Sequence, residues 1–273
     1  MTELDIIRII QSIHNPFLDN FFQLITMLGE SFTIMIIVLG IYWCIDKTSG
    51  EYIGYSFFTS GMLNNSIKNI VKAKRPIGEE GIRSLRVQTA TGYSFPSGHT
   101  QGAASTYGAL YLLLKKSRYA FVFMIIIFLV GLSRLYLGVH YPKDVLGGMI
   151  FGGLTSYVTY RLFKKSTHRT KLYLITLIIF LPFVLNSSVD FARSMGGFIG
   201  FIAGISFEQK FVKFKVNVST AKKILRFTVG VVILFTINFL FYQLSLESTC
   251  LKFIKESLIS FIGFGAYPYL FKK

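Results

Sequence analysis

Long apolar stretches separated by short polar loops make up most of this chain. A transmembrane helix needs about 20 mainly apolar residues, and stretches that reach or approach this length recur along the sequence. They run Phe21 to Ile45, Glu51 to Lys74, His99 to Leu114, Tyr119 to Leu137, Pro142 to Phe163, Leu172 to Leu185, Ala192 to Ile205, Ile224 to Leu244 and Phe253 to Leu270. The pattern predicts an all-α, polytopic bundle of transmembrane helices, with the shorter stretches as tilted or partial spans.

A shorter amphipathic segment precedes these stretches. Isoleucines recur between Leu4 and His14 at positions that surround a short helix, and Asn15-Pro16 follows as a breaker. A helix of this kind is typical of a membrane interface. Composition agrees with a membrane protein, because 52% of the residues are hydrophobic, only 15% are charged, and the mean hydropathy is +0.54. These values exclude an ordinary soluble domain.

Basic clusters in short loops and at the end of the chain carry much of the positive charge behind the formal net charge of +16. The clusters are Lys115, Lys116 and Arg118; Arg161, Lys164, Lys165, Arg169 and Lys171; Lys210, Lys213, Lys215, Lys222, Lys223 and Arg226; and Lys272 with Lys273. Counting predicted helices puts all of them on one side, which the positive-inside rule makes cytoplasmic. The distribution therefore argues against a nucleic-acid partner, and it puts the remaining polar fragments on the extracytoplasmic side.

The first of these fragments holds Lys68, Arg75 and Pro76. On one helix, Lys68 and Arg75 would lie two turns apart on nearly the same face, about 10 Å along the axis. Pro76 disfavours helical geometry at the residue before it, so we expect the helix to end at Arg75. A cationic phosphate cradle is one interpretation, and a basic helix end that snorkels to the membrane surface is the other.

The second fragment is Pro96-Ser97-Gly98-His99, at the start of an apolar stretch. Ser97 is a favourable N-cap, and the unpaired amides of a helix start form an anion site. Gly98 lets a ligand approach the main chain closely. His99 would then project beside the anion, although a plain capped turn with a solvated histidine fits the same residues.

The third fragment joins Ser133-Arg134 to His140 and Asp144. His140 and Asp144 are four residues apart, so the carboxylate can accept a hydrogen bond from one imidazole nitrogen and leave the other exposed as a nucleophile. Such an imidazole can attack phosphorus. The alternative is that Asp144 merely complements the dipole of its helix.

Taken together, the three fragments resemble the full signature of the type-2 phosphatidic acid phosphatase superfamily, which includes lipid phosphate phosphatases and bacterial polyprenyl diphosphate phosphatases. The resemblance covers about Phe21 to Lys165. It implies a membrane-embedded lipid phosphatase core in residues 1–165, with the N-terminal interfacial helix, and leaves residues 166–273 as accessory C-terminal transmembrane helices.

The resemblance also implies a role for each residue of the signature. The phosphate-binding set would be Lys68, Arg75, Ser97, Gly98 and Arg134, and the catalytic set would be His99, His140 and Asp144. His140 would attack to give a phosphohistidine while Asp144 fixes its tautomer, and His99 would protonate the leaving oxygen and later activate water. No metal or other cofactor is implied.

The expected function is a phosphatase of the bacterial plasma membrane, with an extracytoplasmic site. It would hydrolyse a lipid phosphate or diphosphate; a polyprenyl diphosphate such as undecaprenyl diphosphate, phosphatidic acid and phosphatidylglycerol phosphate all fit. Two alternatives remain, a lipid phosphotransferase using the same site and a lipid transporter or flippase. The sequence leaves the oligomeric state open.

Three further features carry expectations about structure. Glu30 interrupts an apolar stretch, either as a functional acid or as the mark of a broken helix. Gly196, Gly200 and Gly204 repeat at four-residue spacing, which favours close helix packing. The loop from Gly78 to Gly92 is expected to cover the site, with Arg83 and Arg86 contacting the substrate headgroup.

Overall fold

The structure is a computed structural model that describes residues 1–186, 188–243 and 248–271. Throughout these residues the regular elements are helices. The α-helices are α1 (Glu3–Gln11), α2 (Pro16–Met27), α3 (Ser31–Cys44), α4 (Lys47–Val71), α5 (Gly98–Leu114), α6 (Phe121–Tyr136), α7 (Pro142–Lys165), α8 (Arg169–Phe180), α9 (Val189–Phe207), α10 (Thr220–Gln243) and α11 (Thr249–Phe261). The predicted all-α class is confirmed. The predicted span end at Leu244 and the basic Lys272 and Lys273 lie outside the described residues.

Length and apolar composition single out two membrane-crossing candidates in the described part of the chain. α10 is long and apolar enough by itself, and α2 with α3 meets the same criterion as a pair bent by 53°. α4 and α7, with 25 and 24 residues, have the length to cross the hydrocarbon core. Polar side chains interrupt the apolar surface of both helices, and several of these side chains belong to the candidate site.

The chain forms two compact units that interleave along the sequence. One comprises Met1–Ile34 and Leu63–Tyr160, and the other comprises Met35–Met62 and Arg161–Lys273. The predicted division at residue 166 follows the extent of the family resemblance, and it stays a prediction. All eight predicted phosphate-binding and catalytic residues fall within the first unit.

The break between α2 and α3 replaces the single helix predicted from Phe21 to Ile45. At the break the backbone hydrogen bonds span three residues instead of four, since Glu30 N donates to Met27 O at 3.0 Å. Gly29 lets the break lie close to the backbone of His99, because a Cβ at position 29 would lie 2.7 Å from the carbonyl oxygen of that residue. Of the two interpretations of Glu30, the structure confirms the broken helix.

α4 ends earlier than Pro76 predicts. The prediction that Lys68 and Arg75 lie two turns apart on one helix is therefore wrong. The last helical residue is Val71, and Lys72 has a left-handed backbone with φ of 52°. The segment that follows is held by main-chain contact with a later loop, since Ser94 N donates to the carbonyl of residue 73 at 2.9 Å. Arg75 therefore reaches the site from extended chain rather than from a helix face.

The N-terminal helix α1 packs against the rest of the first unit. Ile7 is fully buried. The side chain of Gln11 donates to the carbonyls of Arg83 and Tyr136 at 2.7 and 2.8 Å, and it accepts from Arg83 N at 3.1 Å. Asn15 begins α2 as its N-cap instead of only ending α1. α1 thus anchors the loop that precedes α5.

In the second unit, α9 and α11 pack through the predicted glycine repeat. A Cβ at Gly196 or Gly200 would collide with the backbone carbonyl of Phe253 or Ser257, and a Cβ at Gly204 would lie 2.9 Å from the side chain of Phe264. Because glycine has only a hydrogen atom in place of a side chain, the two helices can approach closely at these positions. The prediction of close helix packing is confirmed.

Candidate active site

His140 and Asp144 form a buried pair at the start of α7. The imidazole Nδ1 lies 3.3 Å from Asp144 Oδ2, and the same oxygen accepts from Tyr141 N at 2.9 Å and from the Ser94 hydroxyl at 2.5 Å. His140 is 1% exposed and Asp144 is fully buried. This web of donors fixes the carboxylate, and through it the orientation of the ring.

The neighbours of His140 determine which ring nitrogen carries its proton. Arg75 Nη1 lies 2.8 Å from His140 Nε2, and a guanidinium can only donate. Nε2 must therefore accept, so the proton resides on Nδ1 and is directed at Asp144. The nitrogen with the lone pair is the one that faces the cations, as a nucleophile for phosphorus requires.

Arg75 uses all of its N–H donors in this state. Nε donates to Gly92 O at 3.1 Å, Nη1 to Val139 O at 3.0 Å and to His140, and Nη2 to the carbonyls of Thr91 and Tyr93 at 2.6 and 3.2 Å. The guanidinium is thus held by two loops against His140 Nε2. To bind a phosphoryl oxygen, Arg75 has to give up one of these acceptors, and His140 Nε2 is the one that the reaction itself would remove.

Arg134 is a fully buried cation with unused donors. Nη1 donates to Thr26 Oγ1 at 2.7 Å, whereas Nε and Nη2 have no hydrogen-bond partner among the described residues. Burying a charged donor without an acceptor is costly. An anion on these two groups would remove that cost, and a guanidinium presents two parallel donors to phosphate.

The turn that starts α5 brings Gly98 beside Lys68. Ser97 caps the helix through Oγ, which accepts from Thr100, and Ser97 N donates to Asp144 O at 2.9 Å. A Cβ at Gly98 would lie 3.9 Å from Lys68 Nζ. The first-turn amides at Gly98 and His99 have no acceptor inside the helix, and the Lys68 ammonium lies beside this turn.

The turn is held from α4 by a residue that the sequence reasoning missed. Asn64 Nδ2 donates to Pro96 O at 3.2 Å and to Gln101 Oε1 at 2.8 Å. Asn64 lies one helical turn before Lys68, which is the signal that could have identified it. Ser94 and Thr26 were missed as well, because a serine in a loop and a threonine in an apolar stretch carry no distinguishing pattern.

His99 lies next to Glu30 at the α2–α3 break. Its Nε2 is 3.9 Å from Glu30 Oε1 and has no hydrogen-bond partner in the part of the chain that the structure describes. Both imidazoles are close enough to Lys68 and Arg134 for these charges to act on them. The two rings therefore share one cationic environment.

Arg83 and Arg86 are paired with carboxylates, and their contact with a substrate headgroup stays a prediction. Arg83 holds Asp19 through two hydrogen bonds, at 2.7 and 2.5 Å. Arg86 donates to Glu30 Oε1 from Nε at 2.9 Å and from Nη2 at 2.6 Å. These pairs fasten the loop between α4 and α5 to α2 and to the break that follows it.

Burial and surrounding cations act together on His140. Desolvation lowers the pKa of this imidazole well below its usual value, and the charges of Arg75, Arg134 and Lys68 lower it further. His140 is therefore neutral at physiological pH. Within the described ranges, no group of three or more His, Cys, Asp or Glu side chains is placed to hold a metal ion.

Two family models match the chain, in separate regions. Residues 50–168 match the PAP2 superfamily, and residues 192–273 match the transmembrane extension of PAP2 superfamily phosphatases. The first match includes every residue of the three-part signature. The second includes the glycine repeat of α9.

Individual relatives agree with these matches. The chain is 32% identical over 159 residues to phosphatidylglycerophosphatase B of Bacillus subtilis, covering 54% of this chain and 75% of that protein. It is 31% identical over 120 residues to lipid A 1-phosphatase of Rhizobium johnstonii, covering 42% of this chain and 48% of that protein. The chain thus spans about half the length of the Rhizobium relative.

A solved structure shares the fold. The crystal structure of a transmembrane PAP2 type phosphatidylglycerolphosphate phosphatase from Bacillus subtilis superposes with a TM-score of 0.51 at 28% identity, over 61% of this chain and 86% of that chain. With a relative 32% identical over 75% of its length and two family models that match separate regions, the chain belongs to the PAP2 superfamily of phosphatases and is an integral membrane protein with that family's transmembrane extension.

Proposed function

We propose that this protein hydrolyses a phosphate or diphosphate ester of a membrane lipid through a phosphohistidine on His140. The observation that carries the proposal is the arrangement of this imidazole, with its Nδ1 proton directed at Asp144 and its Nε2 lone pair towards Arg75. An imidazole in this tautomer is an activated nucleophile. The cations around it match the charge that develops on a transferring phosphoryl group.

In the first step, His140 Nε2 forms a bond to phosphorus as the bond from phosphorus to the leaving oxygen breaks. His99 donates a proton to that oxygen, so the lipid leaves as an alcohol or as a monophosphate. Arg134 and Lys68, with the amides at the start of α5, hold the phosphoryl oxygens. Arg75 exchanges His140 for one of these oxygens as Nε2 becomes bonded to phosphorus.

In the second step, water attacks the phosphohistidine. His99, now neutral, takes a proton from that water, the bond between phosphorus and Nε2 breaks, and inorganic phosphate leaves. Asp144 holds the Nδ1 proton throughout and stabilises the ring while it is positively charged. Each residue ends in the protonation state in which it began, so the cycle can repeat.

The relatives support a lipid as the substrate. The two named relatives act on different lipid phosphates, one a phosphatidylglycerophosphate and the other lipid A, so the shared feature is a phosphate on a lipid. Phosphatidylglycerol phosphate, phosphatidic acid and polyprenyl diphosphates are the substrates to compare. The basic loops support a site on the extracytoplasmic face of a bacterial plasma membrane.

The test is phosphate release by purified protein in detergent with a chelator present, across those three lipid classes. We expect release from at least one class, and loss of release by at least about 100-fold in His99→Ala and in His140→Ala. His168→Ala is the matched control, because His168 is an exposed histidine of the second unit. Full activity in His140→Ala would contradict the proposal, and a labelled lipid acceptor in place of free phosphate would assign transfer rather than hydrolysis.

A further inference from the structure

The connection between α2 and α3 belongs to the candidate site, although it precedes the family match that begins at residue 50. Thr26 accepts a hydrogen bond from Arg134 at 2.7 Å. Leu28 O accepts from the Tyr107 hydroxyl at 3.0 Å. Gly29 lies directly against the backbone of His99. Residues 26–30 are thus fixed on α5 and α6 at several points, and the direction of Glu30 follows from them.

The carboxylate of Glu30 lies between a histidine and an arginine. Its Oε1 is 2.6 Å from Arg86 Nη2 and 3.9 Å from His99 Nε2. The second separation is an ion-pair distance, longer than a hydrogen bond. His99 Nε2 is buried, with no hydrogen-bond partner among the described residues, so a small rotation towards Glu30 would satisfy it. Glu30 is partly buried as well, at 21% side-chain exposure.

We propose that Glu30 is a positioning residue for His99, which holds the ring in place and favours its protonated form, and that Arg86 limits this effect by sharing the same oxygen. The inference rests on the proposed function, because it needs His99 as the proton donor. In that role the ring must carry a proton when the lipid oxygen leaves. Glu30 would then affect the reaction without touching the substrate.

The charges that face His99 oppose one another. Arg134 from α6 and Lys68 from α4 place positive charge near the ring, while Glu30 from the α2–α3 break places negative charge beside it. Arg86 from the loop and the His140 ring complete the surroundings. Because the cations outnumber the carboxylate in this set, removal of Glu30 leaves nothing there to offset them. The protonated form of His99 would then persist only at lower pH.

A structural role for the pair is the competing explanation, since Glu30 and Arg86 also fasten the loop before α5. The pair of Arg83 with Asp19 fastens the same loop, and no contact joins it to His99 among the described residues. Arg83→Met is therefore a matched control that removes a loop anchor and leaves the surroundings of His99 intact. A loop anchor changes the amount of active protein, whereas a charge beside the proton donor changes the dependence of the rate on pH.

The experiment measures kcat for phosphate release in four variants over about five pH units, from about pH 5 to pH 10. The rate at saturating lipid reports the protonation of His99 in the complex with the anionic substrate. In Glu30→Gln we expect the fall in activity at high pH to begin about one pH unit lower, so the rate above that point drops about tenfold relative to wild type. Arg86→Met should move the same fall to higher pH, because the carboxylate is freed and a positive charge is lost. Glu30→Asp should keep the wild-type profile at a reduced rate, and Arg83→Met should not shift it.

The results separate this inference from the proposed function. If the wild type releases phosphate and His99→Ala does not, but Glu30→Gln and Arg86→Met change the rate by the same factor at every pH, the positioning role is overturned and the phosphatase stands. If the wild type releases no phosphate, the proposed function fails first. Should Glu30→Gln not fold, the direction of the shift in Arg86→Met decides alone, since a loop anchor would produce none.

Discussion

Side chains of the candidate site are held by neighbours that lie outside the three signature fragments. Ser94 donates to Asp144, Thr26 accepts from Arg134, and Asn64 holds the turn before His99. The sequence points to the candidate site residues because their spacing is characteristic, and their roles stay predictions. It could not predict these neighbours, since each is an ordinary polar residue whose partner is distant along the chain.

Asp144→Asn should lower kcat by about 10²-fold to 10⁴-fold. An amide presents an N–H where the carboxylate accepted, so Nδ1 of His140 loses its acceptor and the ring its orientation. Ser94→Ala removes one of three donors to the same carboxylate and should cost less, about tenfold. The measurement is kcat for phosphate release at saturating lipid. Equal activity of Asp144→Asn and wild type would contradict a tautomer set by Asp144.

Stability should fall on acidification because of His140. Its pKa in the folded protein lies well below that of the unfolded chain, so the unfolded state binds the proton first as the pH drops through about 6.5. Between that pH and the lowered pKa, the folded state loses about 1.4 kcal/mol per pH unit. His140→Gln should flatten this part of the curve in thermal unfolding measured in detergent. An unchanged dependence on pH in the variant would show that His140 is not responsible.

The helices that carry the site differ in how far sequence predicted their ends. α5 begins where Ser97 caps it, and α7 begins at Pro142, as local signals predicted. The end of α4 at Val71 was not predicted, and the break before Ser31 was only one of two interpretations of Glu30. Both are set by tertiary contacts, of the chain around Arg75 with later loops and of Gly29 with His99, which a pattern along one segment does not contain.

Two glycines of these elements should respond differently to alanine. Gly29→Ala puts a methyl group 2.7 Å from a backbone oxygen of His99, which should destabilise the protein by about 1 to 3 kcal/mol. Gly98→Ala meets its neighbours at ordinary contact distance, 3.4 Å from Asn64 Oδ1. We expect the fold to tolerate it, while the methyl group beside Lys68 raises KM about tenfold. Thermal unfolding and kinetics on the same samples test both, and a stable Gly29→Ala would contradict the tight packing of the break.

At the scale of the whole molecule, the apolar pattern predicted a polytopic helical protein, and the family's transmembrane extension agrees. The interleaving of the two compact units was not predicted, because a division read along the sequence cannot show that residues 35–62 group with 161–273. The orientation in the membrane rests on the basic loops alone. It can be tested independently of catalysis.

Single cysteines should report that orientation in intact cells. With Cys44 and Cys250 replaced by serine, Glu79→Cys lies in the exposed loop before α5 and Lys116→Cys in the exposed basic loop after it. The positive-inside rule predicts that a membrane-impermeant maleimide labels Glu79→Cys and reaches Lys116→Cys only after the cells are opened. The reverse pattern would put the candidate site on the cytoplasmic face.

A covalent phosphoryl group on His140 is the most direct consequence of the proposed chemistry. Purified protein is mixed with its fastest lipid substrate, labelled in the phosphate, and quenched within one turnover in alkali, in which a phosphorus–nitrogen bond to histidine survives. We expect a label that is stable in alkali, released by acid, located on the peptide containing His140, and absent from His140→Ala. Phosphate release at the normal rate with no label on His140, or with label on another residue, would contradict the phosphohistidine mechanism.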